Sequence, residues 1–219
     1  YWRDWSSDVC SSDLTLTGGH VNENGPVQAA WTASVWPRAA EIIRYTSELW
    51  AKEDIARFQA MLVTQYVPSL IHGCDENGNK ELAMAEALIN IGVFNNDRIT
   101  FAQGVRMWRG RVPAVIYLGS DGPSPIAPPN GLPASAPWSN KGVQPPLVDG
   151  VLQETARDPH HANMAFASLV NAAETARRAL GFADSPDLQA SLRDDIRVYE
   201  GGAGTGAPSA PKSPGTGAR

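Results

Sequence analysis

The sequence has few cysteines, no excess of basic charge and no long apolar run, and each shortage excludes a class of protein. Its 219 residues contain two cysteines, Cys10 and Cys74, which are too few for a disulfide framework and form no metal-binding motif. The formal net charge is −5, whereas nucleic-acid-binding proteins normally carry a basic patch. No apolar run approaches the roughly 20 residues that span a bilayer. We therefore expect neither a nucleic-acid-binding nor a membrane-spanning protein.

The motifs of several common active sites are also missing. The sequence contains no phosphate-binding loop, no dinucleotide-binding pattern and no nucleophile elbow. Two of its four histidines, His160 and His161, are adjacent and would point about 100° apart on a helix, which makes a poor set of metal ligands. We expect no metal site and no cofactor.

The first residues have a composition of their own. Residues 4–14 read DWSSDVCSSDL, which matches, codon for codon, the translation of a short-read sequencing adapter. We therefore expect residues 1–14 to lie outside the fold and Cys74 to be the only authentic cysteine.

The remaining chain divides by composition into one domain and a tail. Residues 15–200 are expected to form a single globular domain, interrupted by a proline-rich loop at 121–146. Residues 201–219 consist mainly of Gly, Pro, Ala and Ser, which cannot bury enough apolar surface to order themselves.

Helical spacing of apolar residues predicts the fold class. We expect a loop over residues 15–28, and then a first helix that carries Ile42 and Ile43 on its apolar side, with Pro37 in its first turn and Ser34 as its cap. A second helix is predicted over 53–71, with a bend at Pro68. Two more helices flank a break at 95–97, where Asp97 caps the later one. The last two are predicted over 161–180, with Phe166 and Val170 in the apolar stripe, and over 186–199. Because of Pro113 and a β-branched run, residues 109–120 are predicted to be extended. The whole predicts an all-α domain of antiparallel helical hairpins.

Residues 149–161, DGVLQETARDPHH, hold the densest group of chemically active side chains. On a helix, Gln153, Arg157 and His161 would share one face, which is too polar for an ordinary core. Pro159 interrupts such a helix, so we expect it to restart there with Asp158 as its cap. The alternative is a solvated helix face with a capping Asp.

A second group of candidates lies near the start of the first helix. Trp31 and Trp36 beside Arg38 could bind a sugar, because aromatic faces stack on pyranose rings and a guanidinium pairs with a carboxylate. Ordinary core packing would also explain both tryptophans.

Four stretches in order resemble bacterial proteins of the alginate-lyase-like class: WTASVWPRAAEIIRYT, NGNKELAMAEALINIGVF, WRGRVPAVIYLGSDG and DGVLQETARDPHHANMAFA. The resemblance implies an incomplete α/α toroid that cuts alginate or glucuronan by β-elimination. It also implies a periplasmic or secreted monomer whose partner is an acidic polysaccharide.

The resemblance also implies roles for particular residues. Asn79 and Arg157 would neutralise the uronate carboxylate, and His161 would act as the base or as a further carboxylate clamp. The substrate-binding residues would be Asn77, Lys80, Gln153, Glu154 and His160, together with Trp31, Trp36 and Arg38. Polyanion binding would need a local basic cleft, formed by Arg38, Lys80, Arg109, Arg111 and Arg157.

The chain departs from the family pattern at several positions. Lys80 stands where the family usually has Trp, and His160, Ala162 and Pro159 alter the surroundings of the histidine. The family has a catalytic tyrosine downstream of the last helix, where this chain has only its Gly/Pro-rich tail; Tyr117 and Tyr199 are candidate substitutes, with a structural role as the favoured alternative for each. We therefore expect a fragment with absent or impaired activity; the alternatives are a non-catalytic polysaccharide-binding protein of the same fold and a helical scaffold.

Overall fold

The computed structural model describes residues 25–74, 77–128 and 145–181, and these residues are all-α, as predicted. One isolated antiparallel bridge, between Ile116 and Leu152, is the only β-type pairing within those ranges. The helices are α1 (Gly25–Thr46), α2 (Lys52–Met61), a π-helical turn (Leu62–Tyr66), α3 (Val67–Leu70), α4 (Gly78–Asn95), α5 (Arg98–Val115), a 3-10 turn (Gly119–Asp121) and α6 (Pro159–Gly181). The predictions for residues 1–24, for most of the proline-rich loop, for the helix at 186–199 and for the tail lie outside the described residues.

Helix α4 is the centre of the fold. It packs against α1, α5 and α6, and it buries residues on every side, among them Leu82, Leu88, Ile91 and Phe94. A helix that is apolar all round requires neighbours on all sides. The other helices therefore take their positions from α4.

The turn between α4 and α5 was predicted correctly from its sequence. Asn96 ends α4 in the left-handed conformation, with φ 52°. The Asp97 side chain then accepts hydrogen bonds from Ile99 N at 3.0 Å and Thr100 N at 3.2 Å, which caps α5.

Two glycines allow α4 and α5 to approach closely and run in opposite directions. A Cβ on Gly92 would lie 2.6 Å from the backbone N of Phe101, and one on Gly104 would lie 2.8 Å from the backbone N of Ile89. Such distances are too short for any side chain other than hydrogen. Early residues of α5 thus meet late residues of α4, and later residues of α5 meet earlier ones.

The prediction for the start of α1 was wrong. The helix begins at Gly25, inside the predicted loop, and Pro37 lies in its interior. Ser34 does not cap it, because its Oγ donates to the carbonyl of Trp31 at 2.9 Å within the helix. Pro37 removes one helical hydrogen bond, but α1 buries a face of small residues against α4, and that packing maintains the helix.

The prediction of an extended segment over 109–120 was also wrong for most of its length. Helix α5 continues through Pro113 to Val115, and the extended backbone is limited to the short piece between Ile116 and Leu118 that precedes the 3-10 turn. Val115 is fully buried. Tertiary packing here outweighs the preference of β-branched residues for extended backbone.

The predicted apolar stripes of α1 and α6 coincide only in part with the buried faces, because Leu169 and Leu180 of the predicted α6 stripe pack against the core whereas other members do not. Ile42 and Ile43 on α1, and Phe166 and Val170 on α6, are exposed. The buried positions are mostly alanines, which on α6 are Ala162, Ala165 and Ala172. Close helix packing selects small residues, so the largest apolar residues did not mark the core face.

Candidate functional site

The stretch that precedes α6 is a turn-rich strap and not the predicted helix. Residues 149–158 carry only turns and an isolated bridge. The strap pairs with the end of α5, where Tyr117 N donates to Val151 O at 3.0 Å and Gln153 N donates to Val115 O at 2.8 Å. These pairings satisfy backbone groups that a helix would have satisfied internally. Gln153 and Arg157 therefore do not share a helix face.

The predicted restart at Pro159 is confirmed. Helix α6 begins there, and Asp158 Oδ1 accepts a hydrogen bond from His160 N at 2.9 Å. Partial burial opposes the ionisation of Asp158, but that hydrogen bond and the charges of His161 and Arg157 together lower the pKa of its carboxyl group. Asp158 thus remains an anion beside His161.

A buried carboxylate joins the polar residues of the strap. Glu154 is 2% exposed, and its backbone φ is +70°, a left-handed conformation that is rare for a residue with a side chain. Its Oε2 accepts a hydrogen bond from Arg157 Nη2 and lies 2.6 Å from His161 Nδ1. Arg157 Nη2 also contacts His161 Nδ1. The structure therefore brings Glu154, Arg157 and His161 into one cluster, which we call the Glu154 cluster.

The geometry of the Glu154 cluster suits proton transfer. When Nδ1 of His161 donates to Glu154, its Nε2 retains a lone pair. That side chain is 34% exposed, and its Nε2 lies 3.6 Å from Asp158 Oδ2. A carboxylate that fixes one nitrogen of an imidazole while the other can reach a ligand is a common arrangement for a general base.

The first turn of α4 lies against the strap beside this cluster. Gln153 Oε1 accepts a hydrogen bond from the backbone N of Gly78 at 2.9 Å, in a buried position. A Cβ on Gly78 would collide with Val115 Cγ2 and lie 2.7 Å from Gln153 Oε1, so only glycine fits. Asn77 and Asn79, on either side of Gly78, are both buried. The two motifs identified from the sequence are thus adjacent at one end of the fold.

Several buried polar atoms of these residues have no hydrogen-bond partner in the described part of the chain. They are Asn79 Oδ1, Glu154 Oε1 and Arg157 Nε. An unsatisfied buried polar atom costs about 1–3 kcal/mol, so native structures contain few of them. Four further atoms of this kind lie elsewhere in the described residues, on Arg44, Asn90, Asn95 and Arg106, so the three atoms at the predicted site residues do not by themselves define a binding place.

A buried ion pair anchors the same end of α4. The side chain of Arg111 donates to the carboxylate of Glu81 and to the carbonyl of Cys74. Arg111 is fully buried, so it cannot belong to the predicted basic cleft. Its charge is used inside the protein, where it ties α5 to both sides of the turn before α4.

The predicted sugar platform lies elsewhere. Trp31 and Trp36 are five positions apart on α1, about 140° round the helix, so they do not form one surface. Trp36 contacts the rings of Phe58 and Tyr66 at centroid distances of 6.4 and 6.5 Å, although much of it stays exposed.

Arg38 lies with the C-terminal half of α6. Its Nη1 is 3.6 Å from Glu86 Oε1, and it lines a cavity of about 380 Å³ together with Asn90 of α4 and Arg178 of α6. His161 and Arg178 are 17 residues apart on α6, which corresponds to about 25 Å. The structure therefore does not bring Arg38 to the Glu154 cluster.

The remaining candidates are distributed as follows. Lys80 is half-buried in the first turn of α4, His160 is exposed, and Arg109 is exposed on α5. Tyr117 is buried, and its hydroxyl donates to the carbonyl of Gly122 at 2.7 Å, which is a structural role. Tyr199 lies outside the described residues.

The sequence analysis missed a polar group at the interface of three helices. Glu86 is buried in the middle of α4, and its burial raises the pKa of the carboxyl group, although hydrogen bonds with Ser168 and Asn171 and the charge of Arg38 oppose this effect. Asn90, one turn further on, donates to the carbonyl of Ser34 at 2.8 Å. Polar residues at i and i+4 in an otherwise apolar helix were the signal that could have revealed them.

None of the described helices is long and apolar enough to cross a membrane. Across residues 25–74, 77–128 and 145–181, no group of three or more His, Cys, Asp or Glu side chains is placed to hold a metal ion. No family model, no curated protein and no solved structure matches the chain.

Proposed function

We propose that the chain is part of a polysaccharide lyase that cleaves a uronate-containing polymer by β-elimination, with the Glu154 cluster as its catalytic centre. The observation that carries this proposal is the buried Glu154, held at φ +70°, which positions both His161 and Arg157. Non-glycine residues with such a backbone occur mainly where the surrounding structure maintains them for function. The arrangement of the helices as part of an incomplete α/α toroid of antiparallel hairpins belongs to the same proposal.

The reaction assigns a different task to each residue. Removal of the proton α to a uronate carboxylate generates an enolate-like dianion, so that carboxylate must be neutralised by donors. Arg157 supplies a guanidinium within the cluster, and Asn79 would supply an amide from the first turn of α4, whose Gly78 is bonded to Gln153 of the strap. Nε2 of His161 takes the C5 proton, and Glu154 stabilises the imidazolium that forms. The C4–O glycosidic bond then breaks as the C4=C5 double bond forms, and the departing oxygen takes its proton from that imidazolium or from water.

The other residues of this region position the cluster. Gln153 holds the first turn of α4 against the strap through Gly78, and Asp158 fixes the first turn of α6. Lys80, half-buried beside Asn79, adds positive charge for a polyanion. This charge matters because the net charge of the chain is −5.

The proposal is tested by incubation of the protein with alginate and with glucuronan. Each elimination leaves a double bond that absorbs in the ultraviolet, so absorbance reports the product directly. We expect His161→Ala and Glu154→Gln to abolish product, and His72→Ala, an exposed histidine remote in sequence from the cluster, to leave the rate unchanged. Product formation that survives His161→Ala would exclude His161 as the base.

A second candidate function is binding of an acidic polysaccharide without cleavage. One observation favours it: Arg157 Nη2 already donates to Glu154, so this nitrogen is not available to neutralise the uronate carboxylate during an elimination. In that case the wild-type protein would bind alginate without producing any absorbance, and Lys80→Ala and Arg157→Gln would weaken binding. Absence of both binding and product would leave a helical scaffold.

A further inference from the structure

The cavity between α1, α4 and α6 lies away from the Glu154 cluster and has the size of a small-molecule site. Its volume is about 380 Å³, and small-molecule sites usually measure about 300–1,000 Å³. Much of its wall is apolar, formed by Pro37 of α1, Val93 and Phe94 of α4, and Ala179 of α6. Such a wall favours a ligand with an apolar body, because the burial of apolar surface drives binding.

The buried side of the wall contains a hydrogen-bond acceptor without a partner. Asn90 lines the cavity and is 2% exposed, and its Nδ2 donates to the carbonyl of Ser34 at 2.8 Å. Because a carbonyl can only accept, this bond fixes the orientation of the amide and leaves Oδ1 as an acceptor. Oδ1 has no hydrogen-bond partner in the described residues. Of the seven buried side-chain atoms of this kind there, it is the only one whose residue lines the cavity.

Two guanidinium groups lie at the outer side of the cavity. Arg38 of α1 and Arg178 of α6 both line it, and their side chains are 52% and 64% exposed. Arg38 Nη1 is 3.6 Å from Glu86 Oε1, which is too long for a hydrogen bond. Arg178 donates to Glu174 through Nε at 2.6 Å. A guanidinium has five N–H donors, so each arginine retains donors for a ligand.

The charges of the wall favour an anion as the ligand. Glu41 also lines the cavity, but its carboxylate already accepts a hydrogen bond from Arg44. The described wall therefore presents two guanidinium groups and one carboxylate that is already paired. A carboxylate is the natural partner of a guanidinium, because its two oxygens can accept two parallel hydrogen bonds.

We propose that this cavity binds a small monocarboxylate that has an apolar body and a hydroxyl group at the opposite end. The carboxylate pairs with Arg38 and Arg178, and the hydroxyl donates to Asn90 Oδ1. The ligand thereby joins α1 to α6, which both pack on α4. The site is independent of the proposed lyase activity, since Arg178 and His161 are about 25 Å apart along α6.

Titration calorimetry on the full chain tests the site, with para-hydroxyphenylpropanoate as the probe. We expect saturable binding and a rise in the melting temperature, because a ligand that binds only the folded state stabilises it. Phenylpropanoate, which lacks the hydroxyl, should bind about tenfold more weakly, because it leaves Asn90 Oδ1 buried and unpaired. Glucuronate has the carboxylate and several hydroxyls but a polar body, so it should bind more weakly still.

Variants on α6 locate the bound probe. Arg178→Met removes one guanidinium at an exposed position and should weaken binding about tenfold. Arg177→Met is the matched control, because Arg177 also pairs with Glu174 but does not line the cavity, and its affinity should be unchanged. Ala179→Phe places a ring in the cavity and should abolish binding while circular dichroism remains helical. The side-chain amide resonances of Asn90 should shift when the probe is added to the wild-type protein.

Three results would overturn the proposal. The first is no binding of the probe at millimolar concentration, which would leave water as the occupant of the cavity. The second is equal affinity in the Arg177 and Arg178 variants, or binding that survives Ala179→Phe, because the probe would then lie elsewhere. The third is equal affinity for the two phenylpropanoates, which would exclude Asn90 Oδ1 as the partner of the hydroxyl.

Discussion

The buried pair of Arg111 and Glu81 offers the sharpest test of how the candidate site is held. Arg111 joins the Glu81 carboxylate and the Cys74 carbonyl, and the two charged side chains are 2% and 3% exposed. Replacement of Arg111 by Met preserves much of the volume but removes the charge. Glu81 then remains as a buried carboxylate that has lost the guanidinium of Arg111.

The expected loss of stability follows from that burial. Removal of one partner of a buried pair costs about 3–5 kcal/mol, whereas domains of this kind have a total stability of about 5–15 kcal/mol. The double variant Arg111→Met, Glu81→Met removes both charges, so it should recover most of the loss. It should still lose about 1 kcal/mol, because the Cys74 carbonyl loses a donor.

Urea unfolding, followed by circular dichroism, provides the measurement. With a slope of about 2 kcal/mol per molar urea, Arg111→Met should lower the midpoint by about 2 M. The matched control is Arg177→Met, which breaks an exposed pair with Glu174 at 2.8 Å and should leave the midpoint almost unchanged, because solvent screens such a pair. The reasoning would be refuted if the Arg111 variant lost no more than the control, or if the double variant were no more stable than Arg111→Met.

Three further perturbations test separate parts of the fold. Gly92→Ala places a Cβ 2.6 Å from the backbone of Phe101, so calorimetry should record a loss of about 1–3 kcal/mol in the free energy of unfolding, although alanine has the better helix propensity. An unchanged melting temperature would contradict the close approach of the two helices. Asp97→Ala removes the cap of α5, including the bond from Thr100 N, and should cost about 1 kcal/mol in thermal melts, whereas Asp97→Asn should retain most of it. Burial raises the pKa of Glu86 above its unfolded value, so the folded state holds that proton to a higher pH than the unfolded state does. The free energy of unfolding should therefore fall as the pH rises from about 4.5 through the raised pKa, by at most about 1.4 kcal/mol per pH unit. Glu86→Gln should remove that slope, and a variant with the wild-type slope would exclude Glu86 as its source.

Local chemistry made some features of the fold predictable from the sequence. Asp97 and Asp158 cap the helices that follow them, because a capping carboxylate accepts hydrogen bonds from backbone amides two or three residues ahead. Pro159 fits the first turn of α6 for a similarly local reason. Such features depend on neighbours in sequence and can be read there, although the same local signals placed the start of α1 wrongly at Ser34 and Pro37.

Features that depend on distant contacts were not predictable in the same way. Pro37 and Pro113 lie inside helices because tertiary packing compensates for the lost hydrogen bonds. The alanine face of α6 is buried because its helix approaches its neighbours closely. Neither the packing partner nor the distance of approach can be read from residue spacing.

The Glu154 cluster shows both limits together. The sequence identified Gln153, Glu154, Arg157 and His161 as a polar group, and the resemblance assigned roles to them. The helix predicted for this stretch was the wrong geometry, because a helix would separate Glu154 from His161 by almost two turns along its axis. The left-handed backbone at Glu154 brings the carboxylate to Nδ1 instead, and a glutamate gives no sign of such a conformation.

The candidate site is held by buried contacts at three points, which determines how variants should be interpreted. Gln153 holds Gly78, Glu154 holds His161, and Arg111 holds both Glu81 and Cys74. The third contact lies outside the Glu154 cluster, yet it fixes the α4 turn on which Asn77 and Asn79 lie. If Arg111→Met loses activity at a urea concentration where the protein stays folded, the loss therefore indicates displacement of that turn. The same loss in Glu154→Gln would indicate that the carboxylate no longer stabilises the His161 imidazolium. At saturating substrate, the activity of Arg111→Met should recover, because binding energy can restore the position of α4. The activity of Glu154→Gln should stay low, because bound substrate cannot replace the missing charge.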